Sequence, residues 1–141
     1  MQKSEINKKS IRVLVVDDNM QMRHKVVQLL KPDFEVVGTA ADGKSALDLV
    51  MVLKPEIVVL DISMPILSGI EVASEMKQNE SEAKIVFLTV HEDPDFVKAA
   101  LNVGASGYVI KSQMAMDLLS AMRAASEGHA FVSPSCALTV D

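Results

Sequence analysis

Three aspartates, a threonine and a lysine stand far apart in this chain, each where a short apolar run gives out, and together they have the chemistry to accept a phosphoryl group. IRVLVV stops at Asp17 and Asp18, IVVL at Asp61, KIVFL at Thr89 and GYVI at Lys111. If these runs are parallel strands of one sheet, their C-terminal ends share an edge and the five polar side chains meet there. Adjacent carboxylates repel unless a cation neutralises them. Hard oxygen ligands of this kind favour Mg²⁺, which is typically held by one or two carboxylates together with a phosphate. Asp61 precedes Ile62-Ser63-Met64-Pro65, a loop rather than a helix start, so its carboxylate is placed to attack phosphorus and form an acyl phosphate. The phosphoryl oxygens would need positive charge and donors, which a metal, the Lys111 ammonium and the Thr89 hydroxyl can supply. Each residue also has a plainer reading. One of the paired aspartates, or Asn19, caps a helix; Thr89 is a β-former ending a strand; Lys111 is a solvated cation. The convergence of four strand endings favours the site.

Positioning these residues requires an alternation of strands and helices, and the sequence has one. Strands are expected near 11–16, 35–40, 57–60, 84–89 and 107–110, with helical-period apolar stretches between them. Val26, Leu29 and Leu30 repeat at helical spacing, as do Ala46, Leu49, Val50 and Leu53, and Leu118, Ala121, Met122 and Ala125. Strict alternation of this kind signals βαβ units and a parallel sheet. Asp93-Pro94 reads as an N-cap followed by proline at the first helical position, and Ser68 with Glu71 as a capping box. Gly104 and Gly128 fall where helix ends want a left-handed residue. Residues 1–10 read as a polar lead-in and 129–141 as an irregular tail or the start of a linker.

Composition narrows the function. A chain of 141 residues, 49% of them apolar, suits one domain, since a chain of this size buries roughly 68–70% of its unfolded surface. The net charge of −5, with no basic block longer than Lys8-Lys9, argues against nucleic-acid binding by these residues. No apolar run approaches the ~20 residues of a membrane helix, and MQKSEINKKS lacks the apolar stretch of a secretory signal, so a cytoplasmic location is expected. The one cysteine, Cys136, excludes an internal disulfide and is expected to be chemically idle. His24, His91 and His129 share no metal-like spacing, and only His91 lies near the expected phosphate mouth. Met64, in the loop beside Asp61, is expected to be exposed.

The stretches VLVVDDN, VVLDISMPILSGIEV, IVFLT and GASGYVIK together resemble the receiver domain of two-component response regulators, over about residues 11–128. The resemblance implies a CheY-like, flavodoxin-like (βα)₅ fold, a doubly wound α/β parallel sheet with strand order 2-1-3-4-5. It implies Asp61 as phosphoacceptor, Asp17 and Asp18 as Mg²⁺ carboxylates and the Ser63 backbone carbonyl as a further metal ligand. Thr89 would be the switch hydroxyl, Lys111 the phosphate partner and Tyr108 the aromatic switch; the alternative for Tyr108 is a half-exposed strand aromatic. Val90 stands where the family mostly has Ala or Gly, implying a bulkier wall at the phosphate entry. Ser112 stands where proline is usual, which leaves a cis or a trans Lys111-Ser112 bond and offers a hydroxyl to cap the last helix.

The stretch LLSAMRAASEGHAFVSP further resembles NarL-like regulators, in which a LuxR-type helix-turn-helix domain follows. The function implied is a signalling switch rather than an enzyme, phosphorylated by a sensor histidine kinase. Its outputs would be homodimerisation or DNA binding through a domain outside these residues. Two alternatives stand beside it. One is a stand-alone receiver acting through protein contacts. The other is an Asp-nucleophile phosphatase or phosphotransferase of the haloacid dehalogenase type, which would need an aspartate where Ser63 stands.

Overall fold

In a computed structural model, which describes residues 10–136, the five apolar runs form parallel strands within a residue of where the sequence puts them. They are β1 (Arg12–Val16), β2 (Glu35–Ala40), β3 (Ile57–Leu60), β4 (Lys84–Thr89) and β5 (Gly107–Ile110). The polar lead-in, apart from Ser10, and the tail past Cys136 lie outside the described residues. The strand order is β2-β1-β3-β4-β5, the expected flavodoxin-like order, and a sixth strand extends it at the β5 edge.

Five α-helices among the described residues connect the strands: α1 (Met20–Leu30), α2 (Gly43–Leu53), α3 (Gly69–Gln78), α4 (Pro94–Asn102) and α5 (Met114–Ser126). Alternation along each strand divides the core. Leu14, Val16, Val58, Leu60, Phe87 and Tyr108 belong to the cluster that packs with α2, α3 and α4. Val13, Val15, Val59, Val86, Leu88 and Val109 belong to the one that packs with α1 and α5. Burial on both faces explains why the central strands read as unbroken apolar runs.

The helix boundaries follow local chemistry. Asn19 caps α1 by accepting from the Met22 N–H, and Asp42 caps α2 from Ser45. Ser68 and Glu71 form the expected capping box on α3, and Asp93 caps α4 with Pro94 at its first turn. Gly104 and Gly128 have φ of 88° and 82°, each closing a helix in the left-handed region. At the C-terminus of α2 the Arg12 guanidinium donates to the Leu53 and Lys54 carbonyls at 2.6 and 2.8 Å.

Two expectations at the end of the chain need correction. The stretch expected to be an irregular tail carries β6 (Phe131–Val132), parallel to β5 with Gly107 opposite Phe131 and Tyr108 opposite Val132, followed by a 3₁₀ turn over Pro134–Cys136. A two-residue strand has no period to read, and its stability comes from the β5 edge. Ser112 caps no helix. It sits in a 3₁₀ turn, Lys111–Gln113, that leads into α5 with no side-chain cap, and the Lys111-Ser112 peptide is trans.

Candidate functional site

Strand register assembles the site. Val16 pairs with Leu60, so the residues that follow them, Asp17 and Asp61, emerge side by side at the C-terminal edge. The Asp61 N–H donates to the Val16 carbonyl at 3.0 Å, and the Asp17 N–H to the Ala40 carbonyl at 3.1 Å. Thr89 pairs with Ile110, which brings Lys111 to the same edge. Carboxylate oxygens of Asp17, Asp18 and Asp61 lie within 4.8 Å of one another. Lys111 Nζ lies 2.8 Å from Asp17 Oδ2 and 3.3 Å from Asp61 Oδ2. Asp17 and Asp61 are buried, whereas Asp18 is exposed at the mouth.

A glycine keeps this edge closed. A Cβ on Gly69 would lie 2.0 Å from the Asp61 carbonyl oxygen, so only glycine lets the start of α3 fold back onto the strand end, where its N–H donates to the Ile62 carbonyl at 2.8 Å. Asp17 is held from two further directions: its Oδ1 accepts from the Asn19 N–H at 2.8 Å, and its carbonyl from the Arg23 guanidinium at 2.8 Å.

The family model for the response regulator receiver domain matches residues 13–123. The chain belongs to this family. The receiver is 33% identical over 132 residues to the transcriptional regulatory protein DegU of Brevibacillus brevis, covering 92% of this chain and 56% of that one. Against the nitrate/nitrite response regulator protein NarL of Escherichia coli K12 it is 33% identical over 129 residues, covering 90% and 60%. It therefore spans a little over half the length of these curated relatives. Among solved structures, it superimposes on a LuxR-family two-component response regulator from Aurantimonas sp. SI85-9A1 with a TM-score of 0.86 at 34% identity, covering 91% of this chain and 93% of that one. The signal receiver domain of the putative response regulator NarL from Mycobacterium tuberculosis gives 0.82 at 31% identity, covering 86% and 99%. These likenesses place it with receivers of the NarL/LuxR type.

Electrostatics in the receiver set the two ends of the ion pair apart from ordinary side chains. Burial raises the Asp61 pKa; the Lys111 charge and hydrogen bond oppose this, and the negative charges of Asp17 and Asp18 reinforce it. For Lys111, burial is the largest influence and pulls the pKa down, but the hydrogen bond to Asp17 and the charges of Asp61 and Asp17 outweigh it, so the ammonium titrates above its usual range. Three carboxylates cluster here and the ammonium contacts two of them, a donor set of hard oxygens with uncompensated negative charge, which fits a divalent cation.

Thr89 and Tyr108 are linked to each other through the backbone of one residue, His91. The buried Thr89 Oγ1 accepts from the His91 N–H at 3.2 Å, and the His91 carbonyl accepts from the Tyr108 hydroxyl at 2.8 Å. Tyr108 is wholly buried, not half-exposed, with its ring tilted against Phe87, and burial pushes its phenol pKa up. The His91 imidazole shares a hydrogen bond with the Ser63 hydroxyl and stacks on Phe96 at 4.0 Å between ring centroids. His91 thus joins the β3–α3 and β4–α4 loops, a role no spacing in the sequence announced. Val90 is 63% exposed, a surface residue beside His91. Met64, expected to be exposed, is buried, and Ile66 is the exposed apolar residue of that loop, at φ 69°. Among the described residues no helix is long and apolar enough to cross a membrane.

Proposed function

We propose that this receiver is switched by phosphorylation of Asp61 by a sensor histidine kinase. A carboxylate oxygen of Asp61 forms the new bond to phosphorus as the bond from phosphorus to the donor imidazole breaks, and the departing imidazole takes up a proton. Asp17, Asp18, Asp61 and the Ser63 backbone carbonyl would hold Mg²⁺, which supplies positive charge to the phosphoryl oxygens when bound. Lys111 provides the second positive charge and Thr89 a hydroxyl donor, so the roles fall on an ammonium and a hydroxyl at one strand edge. The observation that carries this reading is the buried contact of Lys111 with both Asp17 and Asp61 beside the exposed Asp18.

On this reading Thr89 and Tyr108 carry the signal away. A phosphoryl group that accepts from the Thr89 hydroxyl and draws it inward pulls its oxygen away from the His91 N–H, and the carbonyl of the same residue holds the Tyr108 hydroxyl. Tyr108 already lies inside, so the switch is a change of its hydrogen-bond partner and of the α4 and β5 packing rather than entry of an exposed ring. We assign the chain a signalling rather than an enzymatic role in the cytoplasm, with transcriptional output through a DNA-binding domain outside these residues, in keeping with relatives named as transcriptional regulators. Dimerisation of the phosphorylated form is the expected intermediate.

The test is labelling by acetyl phosphate with Mg²⁺, read as mass gain and as hydroxylamine-labile phosphate. The parent chain should take up one phosphoryl group and Asp61→Asn none. Equal, acid-stable labelling of both would overturn the assignment.

A further inference from the structure

Past residue 128 the chain closes back onto β5, and one side chain ties the closure. Ser133 is fully buried. Its hydroxyl accepts from the Ile110 N–H at 3.1 Å and donates to Asp117 Oδ2, in the first turn of α5, at 2.8 Å. Its own N–H donates to the Tyr108 carbonyl at 2.8 Å, and the Phe131 N–H to the Ser106 carbonyl at 3.0 Å. The Ser133 carbonyl then accepts from the Cys136 N–H at 3.0 Å; Cys136 lies in the cluster that contains Tyr108, and Val132 packs against it. Without this strap the outer edge of β5 would present unpaired backbone groups.

Two of the groups that Ser133 holds border the candidate site. Ile110 directly precedes Lys111, whose ammonium bridges Asp17 and Asp61. Tyr108 reaches His91 through its hydroxyl while its carbonyl is held by Ser133. The strap is therefore tied to the short run of backbone that carries both the phosphate-facing cation and the aromatic ring.

We propose that residues 131–136 form a strap whose seating on β5 responds to phosphorylation of Asp61, with Ser133 as the positioning residue that couples the two through Ile110 and Lys111. This rests on the reading of Asp61 as phosphoacceptor. Phosphorylation draws the Lys111 ammonium off Asp17 and onto a phosphoryl oxygen. The Ile110 amide shifts with it, and the Ser133 hydroxyl cannot follow while it is held by Asp117. The coupling is reciprocal, so a pull on the strap also displaces Lys111. The segment is then a device that reports the state of the site to the chain beyond it.

Cys136 is the one cysteine in the chain and is buried in the core at the end of the strap, so its reaction with a disulfide reagent such as dithiobis(nitrobenzoate) reports strap seating. The whole chain is reacted in Mg²⁺ with and without acetyl phosphate, and the acyl phosphate is counted by mass spectrometry on the same sample. The thiol should react about tenfold faster in the phosphorylated chain, equivalent to about 1.4 kcal/mol in the strap-opening equilibrium, with no response to the donor in Asp61→Asn. Ser133→Ala should react fast with or without donor, and Ser133→Thr should restore the response. A labelled parent chain with an unchanged thiol rate overturns this inference alone. Failure to label Asp61 overturns the phosphoacceptor reading and the inference with it. A Ser133→Ala chain that responds to phosphorylation as the parent does overturns the role of Ser133.

Discussion

Lys111 Nζ lies 2.8 Å from Asp17 Oδ2 and only 3.3 Å from Asp61 Oδ2, so the ammonium is held most closely by a carboxylate assigned to the metal. A divalent cation held by the same carboxylates would meet this positive charge at Asp17 and Asp61. On the proposed reading, cation and lysine would compete for these oxygens before phosphorylation and cooperate after it, once phosphoryl oxygens are available to both.

Lys111→Met should therefore bind Mg²⁺ more tightly than the parent in the absence of phosphate, because the competing positive charge is gone. Labelling by acetyl phosphate should nevertheless slow by about 10²–10³-fold, the usual loss on removing one group that stabilises a developing charge. Calorimetric Mg²⁺ titration and single-turnover labelling measure the two arms. Weaker Mg²⁺ binding in the variant would show that Lys111 supports the metal site rather than competing with it.

The raised pKa of Asp61 has a definite sign in stability. Its folded pKa lies above the ordinary 3.8, so between these values the folded chain binds the proton more tightly than the unfolded chain. Stability falls as pH rises through that window, and the penalty persists at neutral pH. In Mg²⁺-free buffer Asp61→Asn should be more stable than the parent at pH 7, and the advantage should shrink as pH falls through the window and vanish below it. Urea unfolding across pH measures this; a constant difference at every pH would contradict it.

Thr89→Ala should still accept phosphate at Asp61 but switch less completely. One neutral hydrogen bond contributes about 0.5–1.5 kcal/mol net, well short of the ~5.5 kcal/mol that moves a two-state surface from 1:99 to 99:1. Lys111 must share the task through its charge-assisted contact. The variant should show a partial shift of the Tyr108 and His91 amide resonances on stoichiometric phosphorylation. A shift as large as the parent's would mean that the coupling bypasses the Thr89–His91 hydrogen bond.

Ile66 holds a left-handed backbone, φ 69°, with its side chain wholly in solvent. A β-branched residue is strained there by about 1–2 kcal/mol, and exposure returns no packing. Ile66→Gly should therefore stabilise the fold by about 0.5–1 kcal/mol, less than the strain because glycine loses more chain entropy on folding. A fall in the urea midpoint would show that the side chain makes a contact worth more than its strain.

Strand positions, the Ser68–Glu71 and Asp93-Pro94 helix starts and the five polar strand endings were legible in the sequence because each is local. An apolar run, a Ser-x-x-Glu box or an aspartate after a β-run needs only its neighbours to be recognised. The site then followed from topology, since parallel strands necessarily bring Asp17, Asp61, Thr89 and Lys111 to one edge.

Tertiary packing alone decided the rest, through contacts between residues with no periodic or sequential relation. Burial of Met64 and exposure of Ile66 depend on which way a loop turns over α3, and Gly69 matters only because the Asp61 carbonyl lies 2.0 Å from where its Cβ would be. The joining of Thr89 to Tyr108 through the backbone of His91 spans two strands and a loop. β6 is too short to carry a pattern, and it forms because the β5 edge offers otherwise unpaired backbone groups and Ser133 finds Ile110 and Asp117 within hydrogen-bonding reach. Local sequence determined which groups arrive at the edge; the packing of distant segments decided which of them touch.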